Sequence, residues 1–521
     1  MSGRFSNHPC PSESRFGGIG FPLTHRAGRA RRISRRPQAA LYCKRELHNQ
    51  HNRIKGDPAG RPYCAGRILK TENRKPKTKN RLYAVSLGCP KNLVDTEIML
   101  GRLTEAGWEV VDTPEAAQLL LVNTCGFIQE ACQEAVDTIL ELARHKESDP
   151  RKRLAVTGCL VQRYGEALAT DLPEVDYFIG VHDFPALLEI LEQEPGTGDG
   201  RLHHQATPYG YLNPEARYPA APRHLAYLKI AEGCSHRCTF CVIPQIRGPY
   251  RSRPLATLVA EAAALAAAGV RELILVAQDT TAYGLEQPGH LGLPALLREL
   301  GQIPDFRWIR LMYGHPARIT PQLLETMAAE SRFAPYLDLP IQHGHDEVLK
   351  RMGRGYNRKQ ILDTMRLIRE RLPGVTLRTT VMAGFPGETE AHFQALRELI
   401  EEVHFDHLGV FLYSPEEAAP ASRLTGRVPR RLARQRARIL KALQAGMVKA
   451  RLRALVGTVQ PVLVEGLSPE SDYLLSGRLV SQAPDIDGQV YITAGTGRVG
   501  EIQAVRLTRA LPYDLVGEIV E

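Results

Sequence analysis

The sequence predicts an α/β protein with three successive domains: a doubly wound α/β domain, a central partial (βα)6 barrel of the TIM type, and a small antiparallel β-barrel. Three observations support this fold class. Continuous apolar strands alternate with helices from residue 81 onward. Six further strand–helix units follow within about 225 residues. After Gly457, short apolar runs are separated by Gly, Pro or Asp, which is typical of a small barrel.

The first domain is predicted over 81–194. It has three buried strands, each ending in a cysteine: "RLYAVSLGC" (81–89), "QLLLVNTC" (118–125) and "RLAVTGC" (153–159). The next interval, 195–222, holds five Pro and four Gly with little periodicity, and we interpret it as an interdomain linker.

The second domain is predicted over 223–450 and the third over 451–521. The six barrel strands are "HLAYLKIAEGC", "ELILVAQD", "WIRLMY", "YLDLPIQ", "TLRTTVMAGF" and "FDHLGVFLYS". A basic helix is predicted from about 430 to 455, and we interpret it as a solvated connector that leads into the third domain.

The excess positive charge lies in the first 80 residues. This interval holds 19 Lys and Arg against 4 Asp and Glu, whereas the remaining 441 residues hold 48 against 53. Such a composition does not fold alone and predicts a disordered basic extension over 1–80. Three interpretations stay open: an arm that binds nucleic acid, a transit peptide, or an over-long start with translation beginning near Arg81.

The hydropathy pattern predicts a cytoplasmic protein. No uninterrupted apolar run approaches the 18 residues or so of a membrane span, so no membrane association is expected. No apolar secretory core follows the basic residues.

The loop "CSHRCTFC" predicts an iron–sulfur site. It places Cys234, Cys238 and Cys241 directly after the first barrel strand, and thiolates ligate iron strongly. Three local cysteines would leave one iron of a four-iron cluster open, and an open metal position usually serves chemistry. The alternative is zinc, which prefers paired knuckles; no second pair appears, and His236 lies too close to be a ready fourth ligand.

A second cysteine set is predicted from strand ends rather than from a local motif. Cys89, Cys125 and Cys159 are 36 and 34 residues apart, but each ends a predicted parallel strand. Such ends meet at one edge of an open sheet, so the three thiols should converge on one ligand. Of the ten cysteines, Cys132 is predicted to be helix core, and no role is predicted for the three that lie in 1–80.

The first cysteine loop resembles the signature of the radical S-adenosylmethionine (SAM) superfamily. The resemblance implies that SAM binds the open iron and is cleaved reductively to a 5′-deoxyadenosyl radical. Phe240 matches the aromatic position that packs near the adenine. The segment "MAGFPGETE" (382–390), with Gly384 and Gly387, resembles the glycine-rich segment that approaches SAM, although a plain strand-to-helix turn is an equal alternative.

The chain over 81–521 resembles the methylthiotransferases of this superfamily. That resemblance implies two [4Fe–4S] clusters, an auxiliary one on Cys89, Cys125 and Cys159 and a SAM-binding one on the "CSHRCTFC" cysteines. It also implies a TRAM-type β-barrel at the end of the chain and an electron donor such as flavodoxin or ferredoxin. One SAM methylates a sulfur held at the auxiliary cluster, and a second provides the radical. No catalytic residue beyond the cluster ligands is predicted.

Within this family the sequence resembles the branch that modifies the β-carbon of an aspartate in small-subunit ribosomal protein S-twelve. The segments "SLGCPKNLVDTE", "CTFCVIPQIRGPYRSRP", "AQDTTAYG", "YSPEEAAPA" and "APDIDGQVYI" carry the resemblance. The alternative is the branch that modifies an adenosine beside the tRNA anticodon. S-twelve, free or in the small subunit, is therefore the expected partner.

Charge favours the protein substrate independently. Residues 457–521 hold four Arg, no Lys and nine Asp or Glu, whereas an RNA-binding module should be basic. An acidic barrel suits a basic protein partner. Direct nucleic-acid binding stays open, because the basic extension and the 430–441 segment remain. Two other classes are disfavoured: a two-cluster electron carrier needs no barrel, and an RNA-binding module would not end in an acidic domain.

Overall fold

The computed structural model describes residues 80–196, 198–205, 217–219, 223–287, 289, 292–468 and 470–520. The extension predicted over 1–80 lies outside these residues except for Asn80. The described residues form the three predicted domains in the predicted order, and the fold class is confirmed.

The first domain is a parallel six-stranded sheet with the order β2-β1-β3-β4-β5-β6. Its strands are β1 (Arg81–Ser86), β2 (Glu109–Val110), β3 (Leu119–Thr124), β4 (Arg153–Gly158), β5 (Tyr177–Ile179) and β6 (Leu202–His203). Its helices are α1 (Pro90–Glu105), α2 (Gln129–Ser148), α3 (Cys159–Asp171) and α4 (Leu187–Glu192). The strand order reverses between β1 and β3, and open α/β sheets bind ligands at such a switch point.

The first domain extends further than predicted. The short strand β6 pairs with β5 and lies inside the interval interpreted as a linker over 195–222. Arg201, just before it, is buried and donates to the carbonyl oxygens of Leu172 at 3.0 Å and Val175 at 2.5 Å. A two-residue strand among Pro and Gly leaves no periodicity in the sequence, so the boundary at 194 was placed too early.

The second domain is a six-stranded parallel sheet with the order β14-β13-β12-β11-β10-β7. Its strands are β7 (Leu225–Lys229), β10 (Glu272–Val276), β11 (Trp308–Leu311), β12 (Phe333–Asp338), β13 (Thr376–Ala383) and β14 (His407–Leu412), and a small ladder joins β8 (Ala231–Glu232) to β9 (Arg251–Ser252). The helices are α5 (Ile243–Arg247), α6 (Leu255–Ala267), α7 (Gly292–Gly301), α8 (Pro321–Ala328), α9 (Asp346–Arg351), α10 (Arg358–Arg371) and α11 (Glu390–Val403). The barrel is open between β7 and β14, as a six-unit barrel should be.

The third domain is a closed barrel with the order β15-β16-β17-β19-β18. A long helix, α12 (Arg430–Leu455), precedes its strands β15 (Val459–Ser468), β16 (Ser471–Leu479), β17 (Val490–Ala494), β18 (Ile502–Ala510) and β19 (Leu515–Ile519). Its ladders are antiparallel except for β17 with β19, which are parallel. The boundary predicted at 450 falls within α12, whose last turns pack Val448 and Leu452 into the barrel core.

The third domain fills part of the open βα barrel. Arg478 of β16 is buried and pairs with Glu272 of β10, which also accepts from Arg310 of β11 at 2.8 Å. In the β16–β17 connection, Asp487 accepts from the Tyr336 hydroxyl at 2.7 Å and contacts the His407 ring at 3.1 Å. These buried pairs fix the small barrel on the larger one, because breaking either leaves a buried charge without its partner.

The Arg478→Ala variant tests this docking. We expect it to lower the free energy of unfolding by about 3–5 kcal/mol, since Glu272 and Glu465 both lose a buried cation. Arg498→Ala is the matched control on the same barrel. Its pair with Glu501 is solvent-exposed, so the loss should stay within about 0.5 kcal/mol. Urea denaturation of both variants measures the difference, and equal small losses would contradict the docking.

Candidate functional site

Cys89, Cys125 and Cys159 lie together at the carboxyl edge of the first sheet. Cys89 caps the amino terminus of α1 after β1, Cys125 follows β3, and Cys159 begins α3 after β4. β1, β3 and β4 are neighbours in the sheet, as the prediction required. A Cβ atom placed on Gly88, the residue before Cys89, would lie 3.2 Å from the Cys125 Sγ. A Cβ atom on Gly126, the residue after Cys125, would lie 2.8 Å from the carbonyl group of Cys159, so the three loops touch.

One backbone feature and one side chain hold these loops at short range. Gly158 has φ 104° and ψ −161°, a conformation reserved for glycine, and a Cβ there would lie 2.4 Å from the Asn123 Oδ1. The Asn92 side-chain amide donates to the carbonyl oxygens of Leu87 at 3.1 Å and Thr124 at 2.8 Å. One buried amide thus joins the loops that carry Cys89 and Cys125.

The second set, Cys234, Cys238 and Cys241, lies in the loop after β8 at the carboxyl edge of the βα barrel. The loop is closed by Cys234 N–H donating to Gly248 O at 3.0 Å and Cys241 N–H donating to Cys238 O at 3.2 Å. N–H groups point at its sulfurs: the Ile243 amide donates to Cys241 Sγ at 3.4 Å, and the Arg354 guanidinium donates to Cys238 Sγ at 3.2 Å.

The donor sets fit iron–sulfur clusters better than single ions. Among the described residues, neither cysteine set has all three Sγ atoms within 4.8 Å of one another. A tetrahedral zinc with bonds of about 2.3 Å would require sulfur separations of roughly 3.8 Å. Wider triads of thiols with N–H···S contacts suit a cubane cluster. His236, considered above as a fourth zinc ligand, instead directs its Nε2 at the Asp279 carboxylate at 2.6 Å.

Burial disfavours thiolates in both cysteine sets. It raises the pKa of Cys234 to about 11 and that of Cys241 to about 12, and it also raises the pKa of Cys125 and of Cys159. A bound metal deprotonates a coordinating thiol outright. The surroundings of both cysteine sets thus disfavour the charged thiolates. A metal cluster bound there would have to balance that negative charge.

Arg247 connects the two cysteine sets. This residue ends α5, six positions after Cys241, and its guanidinium donates from Nε and Nη2 to Cys159 Sγ at 3.3 and 3.2 Å. Its Nη1 donates to Asp95 of α1 at 2.7 Å and to Glu232 of β8 at 2.9 Å. Only 2% of Arg247 is exposed. A residue just beyond the loop of Cys234, Cys238 and Cys241 thereby contacts the other cysteine set directly.

A buried charge cluster surrounds Arg247. Lys229 of β7, itself fully buried, pairs with Asp95 and with Glu232 at 2.8 Å. Two cations thus face two carboxylates. Burial alone would raise the pKa of Glu232, but the adjacent Arg247 and Lys229 outweigh it and hold that pKa below its usual range. Because each of these four side chains has a partner of opposite charge, all four can stay ionised at the boundary between the two domains.

The three residues predicted to bind SAM contact other residues of the second domain. Gly384 has φ 83° and its hypothetical Cβ would lie 2.4 Å from Ala433; Gly387 has the same φ and lies against the Arg351 guanidinium. The strand-to-helix turn explains both glycines. Phe240 packs in the apolar cluster that contains Met352 and Phe385. Contact of these three residues with SAM stays a prediction.

Several site residues were not found from the sequence. The sequence predicted no role for Arg247, Asp95, Glu232, Lys229 or Arg354. The available signal in the sequence is position, because Glu232 and Arg247 lie on either side of the loop that holds Cys234, Cys238 and Cys241. Gln278 and Asp279, which follow β10, bond to Glu232 at 2.7 Å and to His236 at 2.6 Å.

A group formed by His345, Glu347 and His392 has ligand atoms within 4.8 Å of one another. The Nδ1 atoms of the two histidines accept from the backbone N–H groups of Glu347 and Thr389, each at 3.3 Å. The neutral rings therefore carry their protons on Nε2, the atoms that would have to bind a metal. The group is a helix-capping arrangement rather than a metal centre.

Comparison with known proteins agrees with this geometry. A family described as "Uncharacterized protein family UPF0004" matches residues 81–180, the Radical SAM superfamily matches 228–400, and the TRAM domain matches 456–520. The ribosomal protein uS12 methylthiotransferase RimO of Geobacter sulfurreducens is 48% identical over 443 residues, covering 85% of this chain and 99% of the relative. The RimO of Trichlorobacter lovleyi is 48% identical with the same coverage of both chains.

The chain belongs to the ribosomal protein uS12 methylthiotransferase family. This membership confirms the predicted radical SAM methylthiotransferase, its ribosomal-protein branch, and SAM with two [4Fe–4S] clusters as cofactors. A solved structure of the radical SAM methyltransferase TsrM from Kitasatospora setae, with tryptophan and a SAM analogue bound, shares the fold with a TM-score of 0.50. It is 16% identical, covers 75% of this chain and 79% of its own, and supports the fold alone.

In the described part of the chain, no helix has the length and apolarity needed to cross a membrane. The long helix α12 carries nine Arg and Lys residues and no acidic residue.

Gly158→Ala tests the strand end that positions Cys159. The added Cβ clashes with Asn123 and requires a conformation strained for any other residue, so we expect a loss of about 2–3 kcal/mol in unfolding free energy. Reconstituted iron should also fall, because Cys159 is displaced. Gly446→Ala, in the open middle of α12, is the control and should be neutral or stabilising by up to about 1 kcal/mol. Retention of full iron in Gly158→Ala would refute the proposed geometry.

Proposed function

We propose that this protein adds a methylthio group to the β-carbon of an aspartate of ribosomal protein uS12, the S-twelve of the sequence prediction. The observation that carries the proposal is the meeting of two cysteine triads across one domain boundary, joined by the buried Arg247. Methylthio transfer requires a sulfur site and a radical site within reach of one substrate carbon, and this arrangement supports both. The relatives that span the same three domains carry the uS12 methylthiotransferase name.

We assign the auxiliary cluster to Cys89, Cys125 and Cys159 and the SAM-binding cluster to Cys234, Cys238 and Cys241. When bound, the clusters supply a sulfur attachment point and one electron for reductive cleavage of SAM. Flavodoxin or ferredoxin is a suitable donor of that electron, and the cytoplasm, where ribosomes are made, is the expected compartment.

The chain's own residues hold and shield these sites. Each triad would leave one iron of a four-iron cluster without a protein ligand, and such an open position usually serves chemistry. Arg247 and Arg354 each donate N–H groups to one cysteine sulfur, which fixes that sulfur and offsets its negative charge. Asp95, Glu232 and Lys229 hold Arg247 in place from both domains. Cys159 and Cys234 are buried and the other four cysteines are half-buried, which limits the access of water to a radical reaction.

The acidic third domain supports the protein substrate less strongly than its composition suggested. Two of its nine carboxylates point into the protein and form ion pairs: Glu465 with Arg478 at 2.8 Å, and Asp487 with Arg378 at 3.5 Å. Three of its four arginines, Arg498, Arg506 and Arg509, are exposed. Most of the support for uS12 therefore comes from the family relationship.

Paired alanine variants test the assignment of the clusters. Reconstituted wild-type protein should hold about eight iron atoms, and each triple variant, of the auxiliary or of the SAM-binding cysteines, about four. The auxiliary variant should still release 5′-deoxyadenosine without modifying uS12, whereas the SAM-binding variant should do neither. Intact-protein mass spectrometry of uS12 gives the readout. Methylthio-adenosine in tRNA, with uS12 unmodified by the wild type, would favour the tRNA alternative.

Arg247→Lys tests the N–H···S contacts. Lysine keeps a positive charge for Asp95 and Glu232 but loses the two donors to Cys159. Hydrogen bonds to cluster sulfurs favour the reduced form, so the potential of the auxiliary cluster should become more negative. Arg354→Lys is the matched control and should shift the other cluster only. Redox titration followed by electron paramagnetic resonance distinguishes the two, and an unchanged auxiliary potential would remove Arg247 from this role.

A further inference from the structure

The outer face of α12 carries a row of exposed cations that the chemistry does not use. We call it the basic stripe; its members are Arg431, Arg434, Arg438, Lys441, Lys449 and Arg453. At 3.6 residues per turn these positions fall within about 120° of arc, and they extend along roughly 33 Å of helix. The spacing makes them one continuous strip of positive charge.

The cations on the inner face of α12, in contrast, form ion pairs within the protein. Arg436 is buried and pairs with Glu388 at 2.7 Å and Glu390 at 3.1 Å, and Arg451 pairs with Asp406 at 2.5 Å. Within the described ranges no ion pair involves a member of the stripe, and α12 contains no acidic residue that could form one along the helix. The inner cations serve the fold, whereas the outer ones lack partners.

On a second basic helix of the same domain, α10, exposed cations do have ion-pair partners. On α10, Lys359 pairs with Asp363 at 2.5 Å, Arg366 pairs with Asp363 at 3.3 Å, and Arg371 pairs with Glu325 at 2.7 Å. Exposed cations there are interspersed with carboxylates. The exposed face of α10 thus carries charges of both signs, whereas the basic stripe on α12 carries only positive charge.

The stripe begins beside the candidate site. The first turn of α12 packs Ala433 against Gly384, just beyond the carboxyl end of β13, and Arg430 lies 3.7 Å from Glu130 of the first domain. Its last turns enter the core of the third domain. A ligand lying along the stripe would therefore reach the edge where both cysteine triads lie.

We propose that the basic stripe binds the phosphate backbone of small-subunit ribosomal RNA, so that uS12 is modified on an RNA-containing particle. This proposal rests on the proposed function. Guanidinium groups match phosphate geometry, and a row of unpaired cations gains affinity by releasing counterions. The stripe would repel uS12 itself if that protein is basic, as ribosomal proteins typically are. Insertion into a membrane is disfavoured because the apolar face of α12, with Leu440 and Val448, is buried in the protein.

The test compares two triple variants of the full-length, cluster-loaded enzyme. The stripe variant is Arg431→Gln, Arg434→Gln and Arg438→Gln; the control is Lys359→Gln, Arg366→Gln and Arg371→Gln on α10. Binding to protein-free small-subunit ribosomal RNA is measured over a series of salt concentrations. We expect the stripe variant to bind about tenfold more weakly and its logarithmic salt slope to fall by about two. The control should match the wild type.

Activity gives the second readout. The stripe variant should modify uS12 in small subunits about tenfold more slowly, in line with its weaker binding, but modify free uS12 at the wild-type rate. Unchanged RNA binding, an equal loss on free uS12, or equally tight binding to anionic vesicles would each overturn the proposal. Failure of the wild type to modify uS12 in any form would refute the proposed function, while the RNA-binding comparison would still test the stripe.

Discussion

The buried guanidinium of Arg247 is the contact on which the arrangement of the site depends. It is held by carboxylates from two domains, Asp95 and Glu232, and it donates to the sulfur of Cys159. A buried charge of this kind is stable only when every partner is in place. The first sheet and the βα barrel must therefore meet in one register, and that register sets the separation of the two cysteine triads.

The third domain reinforces the same geometry from the other side of the barrel. Arg478 and Asp487 enter the open interior and pair with residues on β10, β12 and β13. An incomplete barrel of six strands leaves polar interior positions without neighbours, and the small barrel supplies them. Two of its nine carboxylates, Glu465 and Asp487, thus pair inside the protein, and composition overstates by these two the negative charge available to a partner.

The cysteines were predictable because their chemistry is local or follows from topology. The "CSHRCTFC" loop is a compact motif, and the other triad follows from three strand ends in a parallel sheet. Arg247 was not predictable, because its partners Asn92, Asp95 and Cys159 lie 88–155 residues away. The strand β6 was missed since two residues carry no periodicity. The pairing state of the α12 cations depends on tertiary contacts, so the sequence alone could not separate the stripe from a mixed solvated face.

The most direct test of the assignment of the two cysteine triads is to determine which triad holds the cluster that binds SAM. Electron paramagnetic resonance spectra of the two reduced triple-alanine variants would be recorded before and after SAM is added. We predict a cluster in each variant and a spectral change with SAM only when Cys234, Cys238 and Cys241 are intact. A change that instead requires Cys89, Cys125 and Cys159, or the absence of a second cluster, would contradict this assignment.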